Sequence, residues 1–441
     1  MRMSLSLLQT LNPMARKLFI IIAVAFISTA NLLAQEVNYD ESRVAPYTLP
    51  DPLRFADGRR VKKSTWPQRR KEILGIFQSE MYGQMPPPSP IYLEQLEEGT
   101  TLAGFGHRRQ VRMWFREDKT GPFVDWLIIT PTSTRKQVPA VMLLNYRGNH
   151  TILTDEEIII TDTRDVPLNL YREEAPRGLC ANPDTVSYYP VSSILARGYA
   201  FVTACYNDVS ADPNPSTLEE QNRYAYNRVF ELWGPRDNTR TDNTTCLAAW
   251  AWALSRGMDM LERDSAIDAS RVVLTGCSRL GKAALIAGAF DERFPVVVPN
   301  QTGGGGVPLA KRNYGENITT ETRAFTHWYC RTYDKYAGHE DQMPFDQHML
   351  LACIAPRALL VEGFDEPWFD TRGEFLSLQA ASPVWKMLTG KGLPNVEWPA
   401  DYDTSAIGER LGYVRRNLQH GHSAIDWKWM LDFADKVFEG K

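Results

Sequence analysis

Val272-Val273-Leu274-Thr275-Gly276-Cys277-Ser278-Arg279-Leu280-Gly281-Lys282-Ala283-Ala284-Leu285 changes character in its middle. Three apolar residues and a threonine, three of the four β-branched, run into a glycine, and strong helix formers take over from Leu280. The stretch therefore predicts a strand, a sharp turn and a helix, with Ser278 at the turn. A serine held there is pushed above the C-terminal edge of a sheet, and small neighbours let strand and helix approach each other. The usual esterase spacing is G-x-S-x-G, whereas here the second glycine follows the serine by three residues. The same letters also read Gly276-x-x-x-x-Gly281-Lys282, a phosphate loop in which Ala283 stands where a hydroxyl should hold magnesium. The missing hydroxyl disfavours nucleotide chemistry.

Outward from this turn, apolar strands alternate with helical stretches, the pattern of a parallel sheet covered on both faces. The expected strands lie at 138–144, 199–203, 271–275, 295–299 and 358–363, with a last short one at 396–398. Two half-exposed, antiparallel strands are expected earlier, at 111–115 and 124–130. Helices are expected at 67–81, 242–261 with Asp242 or Asn243 as cap, 280–290, 347–354, 373–388 and 423–439. The last has Ser423 as cap, Asp426 three residues on, and Trp427, Met430, Leu431, Ala434 and Phe438 on one face. The fold class is α/β, with a mostly parallel central sheet and helices on both faces in three layers.

The chain has 441 residues, 43% hydrophobic and 23% charged, enough for a large core. A formal net charge of -4 gives no basic footprint for nucleic acid. Arg16-Lys17, the apolar run 18–27 and Leu32-Leu33-Ala34 read as a signal peptide over 1–34, too short to span a membrane. Residues 35–441 are expected to form one exported domain acting as a monomer, with no membrane attachment once the leader is cleaved. The six cysteines form no C-x-x-C pair, so no structural zinc is expected and buried free thiols are the favoured state.

A serine nucleophile needs a base, and at a strand-turn-helix serine the chain order is serine, acid, histidine. His420 and His422 lie in Gln419-His420-Gly421-His422-Ser423, just before the last helix, and His422, beside the cap, is preferred. The acid should follow the strand at 358–363, where Asp365 and Glu366 are the candidates.

Gly276-Cys277-Ser278-Arg279-Leu280-Gly281-Lys282 resembles the nucleophile motif of carbohydrate esterase family 15, the glucuronoyl esterases. Pro50 to Leu53, Asn145 to His150, Asp346 to Leu350, Arg372 to Phe375 and Asp426 to Asp435 are similar to its bacterial branch. The resemblance implies an α/β-hydrolase fold, no metal or cofactor, and hydrolysis of the ester between (4-O-methyl-)glucuronic acid on xylan and lignin alcohols. It implies Ser278 as nucleophile, His422 as base, Arg279 at the oxyanion, and Lys282, Glu316 and Trp368 on the sugar hydroxyls. Many members carry a glutamate where this chain has Gln301, and the resemblance then moves the acid to Glu366, with Asp365 as fallback. The fungal disulfide has no counterpart, because Ser423 follows His422 and leaves Cys277 unpaired. Esterases for acetyl or feruloyl groups and a non-catalytic carbohydrate-binding protein are the competing readings.

Overall fold

The computed structural model describes residues 37–133, 136–161, 174–185, 187–213 and 218–440. The leader expected at 1–34 lies outside them. Among the described residues no helix is long and apolar enough to cross a membrane.

Nine strands form one sheet: β1 (Tyr92–Thr101), β2 (Gly106–Trp114), β3 (Phe123–Pro131), β4 (Val138–Asn145), β5 (Ala200–Cys205), β6 (Ile267–Cys277), β7 (Val296–Asn300), β8 (Ala358–Phe364) and β9 (Leu411–Arg416). Their order is β1-β2-β3-β5-β4-β6-β7-β8-β9. β1, β2, β3 and β5 pair antiparallel, and every pairing from β5 through β4 to β9 is parallel. Such a sheet is buried on both faces, so neighbours along a strand serve two different cores. Met142 and Leu144 of β4, with Val272 and Leu274 of β6, face one core; Val141, Leu143 and Val273 face the other.

The first core is closed by α1 (Trp66–Phe77), α3 (Cys246–Leu261), α4 (Arg279–Phe290), α6 (Gln347–Ala352) and α7 (Thr371–Thr389). The second is closed by α2 (Val191–Ala196) and α8 (Ala424–Glu439). A short α5 (Ile318–Ala324) lies in the long connection between β7 and β8. This is the three-layer α/β-hydrolase arrangement, in which ligands gather beyond the carboxyl ends of the parallel strands.

Three elements differ from expectation. The long helix begins at Cys246 rather than 242, because the Thr245 side chain accepts from the Ala248 NH and caps it there. The strand expected at 396–398 is not one. The sheet ends instead on β9, Leu411-Gly412-Tyr413-Val414-Arg415-Arg416, whose two arginines mask its apolar character. Arg416 is wholly buried against Asp426 of α8, with Nε at 2.8 Å from Oδ2. The edge strand β1 was hidden by its three glutamates, Glu94, Glu97 and Glu98, which break the apolar pattern of a strand. Ser423 and Asp426 do form the reciprocal capping box of α8.

Candidate active site

Ser278 links β6 to α4 with φ 58° and ψ −131°, a left-handed conformation that a side chain adopts only when its surroundings impose it. Its NH donates to the Asn300 carbonyl at 2.9 Å, and its carbonyl accepts from the Lys282 NH at 3.0 Å. The two glycines are steric necessities. A Cβ on Gly276 would lie 2.3 Å from the Leu280 carbonyl oxygen, and one on Gly281 would lie 2.7 Å from that of Gly276. Tyr146 adds a bolt from β4, its hydroxyl donating to the Cys277 carbonyl at 2.7 Å. Cys277 itself is a buried free thiol, like the other five cysteines.

His420 is tied to the residue that follows the strand beside this turn. Cys277 pairs with Asn300 across β6 and β7, so the next residue of the neighbouring chain, Gln301, emerges beside Ser278. Gln301 is buried, with φ 48°. Its amide oxygen lies 2.9 Å from His420 Nδ1 and accepts from the Gly421 NH at 2.9 Å. The same histidine packs on Phe369 and Phe364, with ring centroids 4.6 and 5.4 Å away. Burial first, then the charges of Arg416, Arg279 and Lys282, lower its pKa to about 4.

His422, preferred on sequence, is enclosed instead. It is 3% exposed, lies between Trp427 and Tyr189, and among the described residues neither ring nitrogen has a hydrogen-bond partner. Burial, helped by Arg416 and His420, lowers its pKa to about 3, so it is a neutral core ring. Beside the helix cap, the His422 ring packs on Trp427 of α8. Arg416 fixes the outward histidine, donating to the Gln419 carbonyl at 2.9 Å and to that of Gly421 on either side of it.

Neither candidate acid meets a histidine among the described residues. Asp365 is exposed and faces Arg415 at 3.6 Å; Glu366 is exposed and accepts from the Trp368 NH at 3.5 Å. The group on His420 Nδ1 is the neutral amide of Gln301, which cannot ionise.

On the other side of the serine, Arg279 Nη1 donates to Asp212 at 2.5 Å. Among the described residues its buried Nε makes no hydrogen bond. One turn on, Lys282 is 2% exposed with Nζ at 3.4 Å from Glu316 Oε2. The Glu316 NH donates to the Trp368 carbonyl at 2.8 Å, so Lys282, Glu316 and Trp368 are brought together from three separate segments. Behind them Glu321 is buried and its pKa is pushed up to about 8, chiefly by burial, with Glu316 adding and Lys282 opposing. A Cβ on Gly304 would lie 2.2 Å from Glu321 Oε1, which leaves room only for glycine there.

Trp328 went unrecognised in the sequence. Its ring lies under both cations, 4.6 Å from the Arg279 guanidinium and 4.9 Å from Lys282 Nζ. The signal was only a crowd of aromatic residues around it. A further cleft of about 580 Å³ opens along Asp184, Leu418, His420 and His422.

A family model described as glucuronyl esterase, fungi, matches residues 174–389. The sequence is 34% identical to carbohydrate esterase MZ0003 of an unknown prokaryotic organism, over 91% of this chain and 92% of that one. A solved glucuronoyl esterase from Solibacter usitatus is 35% identical and superimposes with a TM-score of 0.81, covering 90% of this chain and 100% of that chain. A 4-O-methyl-glucuronoyl methylesterase of Podospora anserina is 25% identical over 77% of this chain and 60% of its own length.

Proposed function

Because the chain belongs to carbohydrate esterase family 15, the glucuronoyl esterases, we propose that it cleaves the ester between (4-O-methyl-)glucuronic acid of glucuronoxylan and a lignin alcohol through an acyl-enzyme on Ser278. The observation that carries this reading is the strained Ser278 turn, with Arg279 on one side and the Gln301-held His420 on the other.

In this mechanism Lys282, Glu316 and Trp368 hold the sugar and present its C6 carbonyl to Ser278. His420 takes the hydroxyl proton as Oγ attacks, its Nδ1–H meanwhile held by the Gln301 oxygen. The negative charge passes to the carbonyl oxygen, met by NH groups at the start of α4 and by the Arg279 side chain. Collapse breaks the bond to the leaving alcohol, which receives the proton from His420. Water, deprotonated by His420, then attacks the acyl-enzyme and releases the uronic acid and free Ser278.

Export guided by residues 1–34 belongs to the same proposal, since a cross-linked wall polymer cannot enter a cell. The test is hydrolysis of a benzyl glucuronate ester and of acetylated xylan by wild type and Ser278→Ala. We expect the glucuronate ester to be cleaved and kcat to fall by at least about 10³-fold in the variant. Cleavage of acetylated xylan alone would move the substrate to acetyl esters; an active Ser278→Ala would remove the nucleophile.

A further inference from the structure

The geometry points to Asp212 as a positioning residue that, with Tyr206, His327 and Trp328, aims the Arg279 guanidinium at the carbonyl oxygen of the substrate. The inference rests on the reading that Arg279 helps hold the oxyanion.

Asp212 lies seven residues beyond the end of β5, and its side chain is 2% exposed. Four donors close around it. Oδ1 lies 2.6 Å from His327 Nε2 and 3.0 Å from Trp328 Nε1; Oδ2 lies 2.5 Å from Arg279 Nη1 and 3.1 Å from the Tyr206 hydroxyl. A carboxylate has about four lone-pair sites, so this one is filled and cannot rotate. The backbone is pinned as well, the Asp212 NH donating to Asn207 Oδ1 at 3.1 Å. Burial alone would raise its pKa, but Arg279 and His327 outweigh that and hold it well below the usual carboxylate range. Asp212 is therefore an ionised anchor.

Arg279 stands one residue from the nucleophile and gives Asp212 part of its fork only. Some arginines of this molecule give one carboxylate two nitrogens, others, such as Arg416 and Arg256, give one. Arg112 meets Asp125 through Nε at 2.7 Å and Nη2 at 2.9 Å, and Arg312 meets Asp370 through Nε at 2.9 Å and Nη2 at 3.2 Å. Arg279 gives Asp212 a single nitrogen, Nη1. Its guanidinium lies against the ring of Trp328, itself tied to the same carboxylate, and among the described residues its buried Nε has no acceptor. The side chain stays 31% exposed one residue from the nucleophile. Fixing a long side chain beforehand avoids ordering it during the reaction.

The test compares Arg279→Ala, Asp212→Asn, the double variant and Trp328→Phe on a benzyl glucuronate ester, with kcat and KM separated and melting temperatures recorded. Asp212→Asn is expected to lower kcat about 10- to 100-fold and to leave KM within about threefold. Because it acts through Arg279, the double variant should be no slower than Arg279→Ala. Trp328→Phe keeps an aromatic ring under Arg279 and loses the donor to Asp212 with part of the buried ring, so it should lower kcat about 3- to 10-fold, together with a lower melting temperature. It serves as the reading if Asp212→Asn does not fold. Losses that multiply in the double variant, or that fall on KM, would overturn the inference. An impaired Arg279→Ala beside unimpaired Asp212→Asn and Trp328→Phe would overturn it and leave the oxyanion role intact. An unimpaired Arg279→Ala would overturn both.

Discussion

The two sides of Ser278 are made of opposite materials. Toward Arg279 and Lys282 stand two cations, each facing a buried carboxylate, Asp212 and Glu316, with the Trp328 ring beneath both. Toward His420 the polar partner of the ring is an uncharged amide, with the rings of Phe364 and Phe369 packed against it. The difference follows the reaction. Negative charge develops on the carbonyl oxygen, where fixed positive charge lowers the barrier. The base must be unprotonated before attack, and a surrounding that disfavours imidazolium keeps it so. The cost is a weaker base, since proton-accepting power falls with pKa.

The sharpest way to break this comparison is to exchange the histidines' fates. His420→Ala should lower kcat by at least about 10³-fold, as loss of a base does when residues act as a unit. His422→Ala should lower kcat less than about tenfold and appear instead as a lower melting temperature, from a cavity worth about 1–3 kcal/mol. Comparable kinetic losses from both would end the assignment of His420.

Next in size are changes to the amide. Gln301→Ala removes the acceptor for Nδ1–H and should lower kcat about 10- to 100-fold, since the tautomer is no longer fixed. Gln301→Glu should sharpen the contrast through the pH profile. With His420 near 4, activity falls only as pH drops through that value. A carboxylate on Nδ1 favours the charged ring, so the acid limb should move upward by roughly one to two pH units. An unmoved limb would show that another group titrates there.

The smallest effects are expected where sequence placed the acid. Asp365→Asn and Glu366→Gln should each leave kcat/KM within about threefold, as exposed side chains not touching the base do. A hundredfold loss in either would restore a carboxylate to the mechanism and unseat Gln301.

The nucleophile turn was legible because its requirements are local: apolar strand, glycine, serine, glycine and helix lie within fourteen residues. The parallel core was legible for the same reason, through apolar runs bounded by turns. The histidine was not, since His420 and His422 differ only in which one faces Gln301, and that is decided by Arg416 clasping the loop from β9. β9 was itself hidden by that arginine. Asp212, 66 residues before Ser278, and Trp328, 50 after it, reach Arg279 only through the fold, and nothing near either marks the meeting.

All six thiols are packed inside and none is joined to another. A chain whose fold needs no oxidant reaches its native state under reducing or oxidising conditions alike, and mild reductant leaves its architecture untouched. The serine's immediate neighbour, Cys277, is shielded in the same way: burial pushes its thiol well above the ordinary range and keeps it protonated. Thiol-directed reagents should therefore spare the folded enzyme although a cysteine adjoins its nucleophile, and become lethal to activity only once the sheet opens.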